Sequence, residues 1–176
     1  MCDVLYSPWR LKYILSKKDE ECIFCVRPSV QNDEKHLILF RSEHSFVIMN
    51  LFPYNNGHLM AVPFRHVSRL ADLNKAEIDD LFETVQLCEK VMHRTYSPDG
   101  LNIGLNLGRA AGAGIEAHLH VHIVPRWNGD VNFMTAIGAT RVIPESFERA
   151  FEQLKEQFEK ASAQLEEQID KAGVEK

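Results

Sequence analysis

Cysteine is scarce: four in 176 residues, too few for a disulfide scaffold, and a chain this long buries enough apolar surface to need no such staple. No run of about 18 apolar residues occurs, so no transmembrane helix is expected. The opening stretch MCDVLYSPWRLKYIL lacks the apolar core of a signal peptide, with Asp3, Arg10 and Lys12 breaking it up. Together these absences predict a cytoplasmic protein whose thiols are reduced. An excess of positive charge is missing too. Lys and Arg number 20 against 25 Asp and Glu, giving a net charge of −5 and a pI near 5.9. That excludes a general binder of nucleic-acid polymers, which needs a basic face. A small anion stays admissible, because a few His, Arg and backbone N–H groups hold phosphate inside an acidic protein. Repeats and low-complexity tracts are absent, and the 45% hydrophobic and 26% charged fractions exclude wholesale disorder. One domain is expected, with at most an appendage.

Residues 46–50 (FVIMN) and 58–63 (HLMAVP) read as two short apolar strands, with the turn residues Pro53 and Asn56-Gly57 between them. From Asn74 the period turns helical. Asn74 with Glu77 has the spacing of a capping box, and Leu81, Phe82, Val85, Cys88, Val91 and Met92 follow at steps of three and four. A strand is predicted over 101–107 (LNIGLNL), a Gly/Ala-rich loop over 108–117 and a strand over 118–125 (HLHVHIVP). A last helix starts after Pro144 and carries Phe147, Phe151, Leu154, Phe158 and Leu165. Its apolar stripe thins beyond about residue 160, where charge dominates. The order predicts an α+β fold, a meander-like sheet with two long helices.

The strongest chemical pattern is His118, His120 and His122 alternating with Leu119, Val121 and Ile123. Alternation in a strand puts the three imidazoles on one face, about 6.5–7 Å apart, and the aliphatics on the other. Strand packing has no use for three imidazoles in a row, which makes this a platform for a site. Three histidines can also bind one metal. Gly108, Gly112 and Gly114 let the preceding loop approach a ligand and turn N–H groups toward phosphate. Cys22 and Cys25 form a CxxC pair, which in a reduced compartment reads as metal-binding or redox. No thioredoxin-like βαβ context follows it. Cys88 falls in the helical pattern as a small packed side chain, and Cys2 has no motif around it.

HLHVHIV resembles the H-x-H-x-H-x-x motif of the histidine-triad (HIT) superfamily. CIFC, NGHLMAVPFRH and the Gly-rich loop resemble HIT counterparts in the same order, and the similarity extends over about residues 5–160. SPWRLKYI and PRWNGDVNFM resemble the branch of diadenosine polyphosphate phosphorylases and hydrolases. The resemblance implies a HIT-like α+β fold with an antiparallel meander sheet of about five strands and two long helices over residues 1–160, followed by a charged helical tail at 161–176. It implies an enzyme of nucleotide hydrolysis or nucleotidyl transfer at the α-phosphate of a dinucleoside polyphosphate, with His120 as nucleophile. A neutral ring nitrogen attacks phosphorus, and the other nitrogen must be held by an acceptor.

The same resemblance makes His122 a phosphate contact and His58 the upstream histidine supporting the triad, with His118 completing it. It makes Asn50 a ribose ligand and Ile48, Leu51 and Met60 the surroundings of the base, although core packing explains those three apolar residues equally well. Where relatives carry Gln or Ser in the Gly-rich loop, this chain has GAGIEA. Asn106 and the N–H groups of Gly112, Gly114 and Ile115 are then the candidates for phosphate. Glu116 is a possible acid or base, though a surface carboxylate is the plainer reading. Resemblance to zinc-containing HIT proteins adds His66 and His118 to Cys22 and Cys25, a structural Zn²⁺ site separate from the chemistry.

A homodimer is implied, with the helix at 74–94 as the interface element, although its apolar face suits an internal core equally. Trp127 lies where it would line the second nucleotide's path or form a half-buried rim. Three alternatives stay open. Inorganic phosphate replaces water as acceptor, making a phosphorylase; three histidines hold a hydrolytic zinc; or the protein is a slow nucleotide-binding sensor or scaffold.

Overall fold

The computed structural model describes residues 21–30, 32–130 and 143–174. Cys2 and the SPWRLKYI stretch lie outside the described residues, as do the last residues of PRWNGDVNFM.

Two short helices open the described chain, α1 (Ile23–Ser29) and α2 (Asp33–His36). Strands β1 (Ile38–Arg41), β2 (Ser45–Met49) and β3 (Leu59–Pro63) follow as an antiparallel meander. Helix α3 (Lys75–Tyr96) leads to β4 (Gly100–Leu105) and β5 (Val121–Arg126), and α4 (Phe147–Val174) closes the described chain. The five strands form one antiparallel sheet in the order β1-β2-β3-β5-β4. The meander therefore covers three strands. The α3 crossover carries the chain past one strand position, and β5 turns back into the gap, so the strand bearing His122 is central rather than at an edge.

Local signals account for these elements. Asn74 caps α3 by accepting from the Glu77 N–H at 3.0 Å, and the Glu77 carboxylate accepts from the Asn74 N–H at 2.9 Å. The apolar side of α3 (Leu81, Val85, Cys88, Val91, Met92) packs on one face of the sheet with Ala150, Phe151, Leu154, Phe158 and Ala161 of α4. The helix face offered above as a dimer contact is thus largely consumed inside the chain. Helix α4 runs unbroken from Phe147 to Val174, and its packed face ends at Ala161. Leu119, Val121 and Ile123 join this main core, while Phe24, Ile38, Phe46, Ile48, Met60 and Val62 build a smaller apolar cluster elsewhere.

Gly57 is one position where glycine is required. Its φ is +69°, and a Cβ there would lie 2.8 Å from the Tyr96 ring. Asn55, buried beside it, donates from Nδ2 to the Pro125 carbonyl at 3.0 Å and to Asp130 at 2.9 Å. This ties the β2–β3 turn to the end of β5 and brings His58 against His122.

Candidate active site

The strand with the histidines begins later than its alternation suggests. Regular pairing starts at Val121, where β3 still offers Ala61; Pro63, the last residue of β3, has no N–H to extend the ladder. His118 sits at a bend instead, and the chain then passes beside the loop after β3, with the Leu119 N–H donating to the Val67 carbonyl at 2.6 Å. The alternation of faces survives this change. Leu119, Val121 and Ile123 enter the main core, and the rings of His118 and His120 pack on Phe24 of the smaller cluster, with centroids 5.5 and 5.2 Å away.

Backbone and side-chain partners fix each tautomer. The His120 Nδ1–H donates to the His118 carbonyl at 2.9 Å, because a carbonyl can only accept. Nε2 of His120 therefore carries the lone pair. Burial lowers the pKa of His120, which keeps that lone pair free at neutral pH. Nδ1 of His58 accepts from the Tyr54 N–H at 3.0 Å and from the Asn50 amide at 3.2 Å. Its Nε2–H must then donate to Nδ1 of His122, 3.0 Å away. The relay leaves His122 with an Nε2–H pointing away from His58, a donor set in place by a buried neighbour. Among the described residues neither His120 Nε2 nor His122 Nε2 has a partner, and neither is cut off from solvent. The two rings sit edge to face with centroids 4.7 Å apart. The site thus pairs a neutral ring nitrogen bearing a lone pair with a fixed N–H donor.

His58 is fully buried, and burial first, then His122 and His120, push its pKa down to about 3. Burial and His120 lower His122 to about 4. An unfolded histidine titrates near 6.5, so below that pH the unfolded chain binds protons that the folded chain refuses. The stability contribution is present above about pH 6.5 and is lost as pH falls toward 3. His58 alone is expected to cost about 2 kcal/mol between pH 7 and pH 5. Urea unfolding between pH 7 and pH 5 should show His58→Asn with a shallower pH slope than wild type, by about 1 kcal/mol per pH unit on average. Parallel slopes would refute the neutral buried imidazole.

His118 stands apart from this pair. Its Nε2–H donates to the Pro63 carbonyl at 2.8 Å, so Nδ1 carries the lone pair. That nitrogen lies 3.4 Å from Cys22 Sγ and 3.6 Å from Cys25 Sγ, and His66 Nδ1 lies 3.2 Å from Cys25 Sγ. The four ligand atoms are all within 4.8 Å of one another, a cluster able to hold a metal ion. Tetrahedral zinc with these donors has ligand–ligand edges of about 3.6 Å, so the donor set fits. The Pro63 carbonyl supplies the outer contact that fixes a ligating tautomer. His118 therefore turns its ring toward the Cys22, Cys25 and His66 cluster and its carbonyl toward His120.

The other expected residues divide. The Asn50 side chain is engaged by His58 and by the Phe52 N–H at 2.9 Å, so in this structure it orients the relay. Ile48 and Met60 are buried in the smaller cluster. Leu51 is exposed and opens onto a cavity of about 1150 Å³ with Ile23, Val26 and Leu37. The Gly112 N–H donates to the Arg109 carbonyl at 3.0 Å within the loop. Among the described residues the N–H groups of Gly114 and Ile115 have no such partner. Asn106 lines a second cavity with His122. Glu116 is exposed. The Trp127 ring packs edge to face on Tyr96 at 6.3 Å and lines neither cavity. Sequence reading missed Tyr54, whose N–H sets the His58 tautomer, and a backbone donor leaves no side-chain signal.

Among the described residues no helix is long and apolar enough to cross a membrane. An AP-4-A phosphorylase from Mycobacterium tuberculosis is 41% identical over 150 residues, covering 80% of this chain and 76% of that protein. A bis(5'-nucleosyl)-tetraphosphatase [asymmetrical] from Schizosaccharomyces pombe is 38% identical over 93 residues, 53% of this chain and 50% of that one. The crystal structure of a Zn-bound histidine triad family protein from Mycobacterium smegmatis superposes with a TM-score of 0.64 at 24% identity, covering 81% of this chain and 96% of that chain; this likeness concerns the fold. The family model described as HIT domain matches residues 31–129, the span that includes the His58–His122 relay and His120, and the chain belongs to the HIT domain family.

Proposed function

We propose that the protein is a nucleotidyl-transferring enzyme that cleaves dinucleoside polyphosphates at an α-phosphate through a covalent His120 adduct. The observation that carries this reading is the His120 Nδ1–H bond to the His118 carbonyl, which presents the Nε2 lone pair as a nucleophile. Nε2 bonds to the α-phosphorus, and the bond from phosphorus to the bridging oxygen breaks. The departing nucleoside polyphosphate takes the electron pair, with its oxygens facing the His122 Nε2–H. In the second step an acceptor oxygen attacks phosphorus and the nitrogen–phosphorus bond breaks. The extensive likeness to an AP-4-A phosphorylase supports inorganic phosphate as that acceptor. Diadenosine tetraphosphate and orthophosphate should then give ADP and ATP, with labelled phosphate entering the ADP. AMP and ATP formed equally well without phosphate would identify water as the acceptor. Tight binding of intact substrate without turnover would instead mark a sensor.

The Cys22, Cys25, His66 and His118 cluster suits structural zinc, because two thiolates and two imidazoles in a tetrahedron are a donor set zinc prefers. When bound, the ion supplies a cross-link between α1, the loop after β3 and the segment holding His120. A homodimer is also proposed. Strand β4 is an edge of the sheet, and Ile103 within it and Leu107 just beyond it are exposed; pairing two such edges covers unpaired backbone groups and apolar side chains together. Light scattering at micromolar concentration should return twice the chain mass. A monomer would overturn this.

A further inference from the structure

The geometry points to a second nucleoside subsite beside His122, floored by Gly104 and walled by Tyr54, that takes the departing half of the dinucleotide. The inference rests on the reading of His120 as nucleophile. The turn at residues 50–54 contributes lining to two cavities. Leu51 opens onto the larger, and Pro53 and Tyr54 line a second of about 570 Å³ together with His122, Asn102, Gly104 and Arg126. That volume is in the range of small-molecule sites. His122 carries the fixed donor, so the oxygen leaving phosphorus lies on its side, and the chain attached to that oxygen runs into the second cavity.

Strand β4 makes the floor. Gly104 pairs with His122, Asn102 with Val124 and Gly100 with Arg126, so on the histidine face β4 presents a single side chain between two glycines. An added Cβ at Gly104 meets nothing within 4 Å, and the backbone there is not in the positive-φ region. Neither fold nor packing requires glycine at this position. What its missing side chain provides is open space next to His122. The wall is Tyr54, 49% exposed, with its ring centroid 5.8 Å from that of His122 and 4.8 Å from that of His58. A half-exposed aromatic ring beside a reaction centre is a stacking platform for a base. At the far end Arg126 is held by both oxygens of Asp130 and by Asn102 Oδ1. The charge there is compensated, which suits an uncharged base rather than more phosphate.

Two substrates separate this subsite from the chemistry. Diadenosine tetraphosphate fills it on departure; adenosine 5′-phosphorofluoridate forms the same adduct but expels only fluoride. Gly104→Leu should lower kcat/KM for the dinucleotide at least ten-fold and change that for the fluoridate less than two-fold. Tyr54→Leu, which keeps the backbone N–H to His58, should lower the dinucleotide value about five- to one-hundred-fold further than it lowers the fluoridate value, the range of base stacking on an aromatic ring. Equal losses on both substrates, or no loss on either, would overturn the subsite while leaving the His120 mechanism in place. Failure of the wild-type protein to turn over either substrate would remove the mechanism and the subsite together.

Discussion

Replacing His120 with alanine should reduce turnover of diadenosine tetraphosphate by on the order of 10⁴-fold or more, with the fold unchanged. Removing a nucleophile removes the two-step route itself, and such losses sit at the top of the mutational range. The Nδ1–H bond to the His118 carbonyl and the packing against Phe24 are local contacts of the ring. Their loss affects stability modestly beside its effect on rate. The decisive measurement is rapid quenching of wild-type protein under base-stable, acid-free conditions, followed by mass analysis of the peptide containing His120. A nucleotidyl mass on that peptide is expected during turnover and not in the variant. A variant that keeps wild-type speed would end the covalent mechanism. His122→Ala should cost less, because it removes a donor to departing oxygens and leaves the nucleophile in place; such donors contribute about 10²–10³-fold.

Much of this arrangement was legible in the sequence, for identifiable reasons. The three histidines alternate with three aliphatics, and period two survives even where the backbone leaves the ladder, so the division of faces was readable although the strand start was not. The start depends on Pro63 ending β3 and on Val67 taking the Leu119 N–H, pairings between segments more than fifty residues apart. Asn74 and Glu77 announced the start of α3 because a capping box is a local device. Helix α1 carried no comparable announcement; Cys22 makes no side-chain cap and Pro28 stands inside the helix. Strand β1 lay hidden in HLILF, a run too short for its period to be read. The roles of Asn50 and Asn55 follow from what the turn brings near them, and spacing cannot show that. The engagement of the Gly112 N–H has the opposite origin, since the 3₁₀ turn before it (Arg109–Ala111) claims that group locally.

Removing the metal should harm both stability and rate, and the second effect is the more informative. Protein purified without chelator is expected to carry one zinc per chain by elemental analysis, and Cys22→Ser should carry none. The four ligands come from α1 and the Cys22 cap before it, the loop after β3 and the segment before β5. A cross-link among them should contribute at least about 3 kcal/mol, which for a domain of this size lowers the melting temperature by roughly 6–12 °C. The effect on rate follows from geometry. His118 is pinned on its ring by the cluster and by Pro63, and its carbonyl holds Nδ1 of His120. If that segment loosens, His120 can adopt the other tautomer or swing from line, and displacements of about 1 Å cost on the order of 10²-fold in such reactions. The loss should therefore fall on kcat with KM little changed, because the two cavities are lined by other residues. A zinc used as a Lewis acid predicts differently: chelation would abolish adduct formation outright. The structural role predicts a slowed but detectable adduct. A metal-free protein with unchanged melting temperature and unchanged kcat would show that the cluster is four side chains that happen to meet.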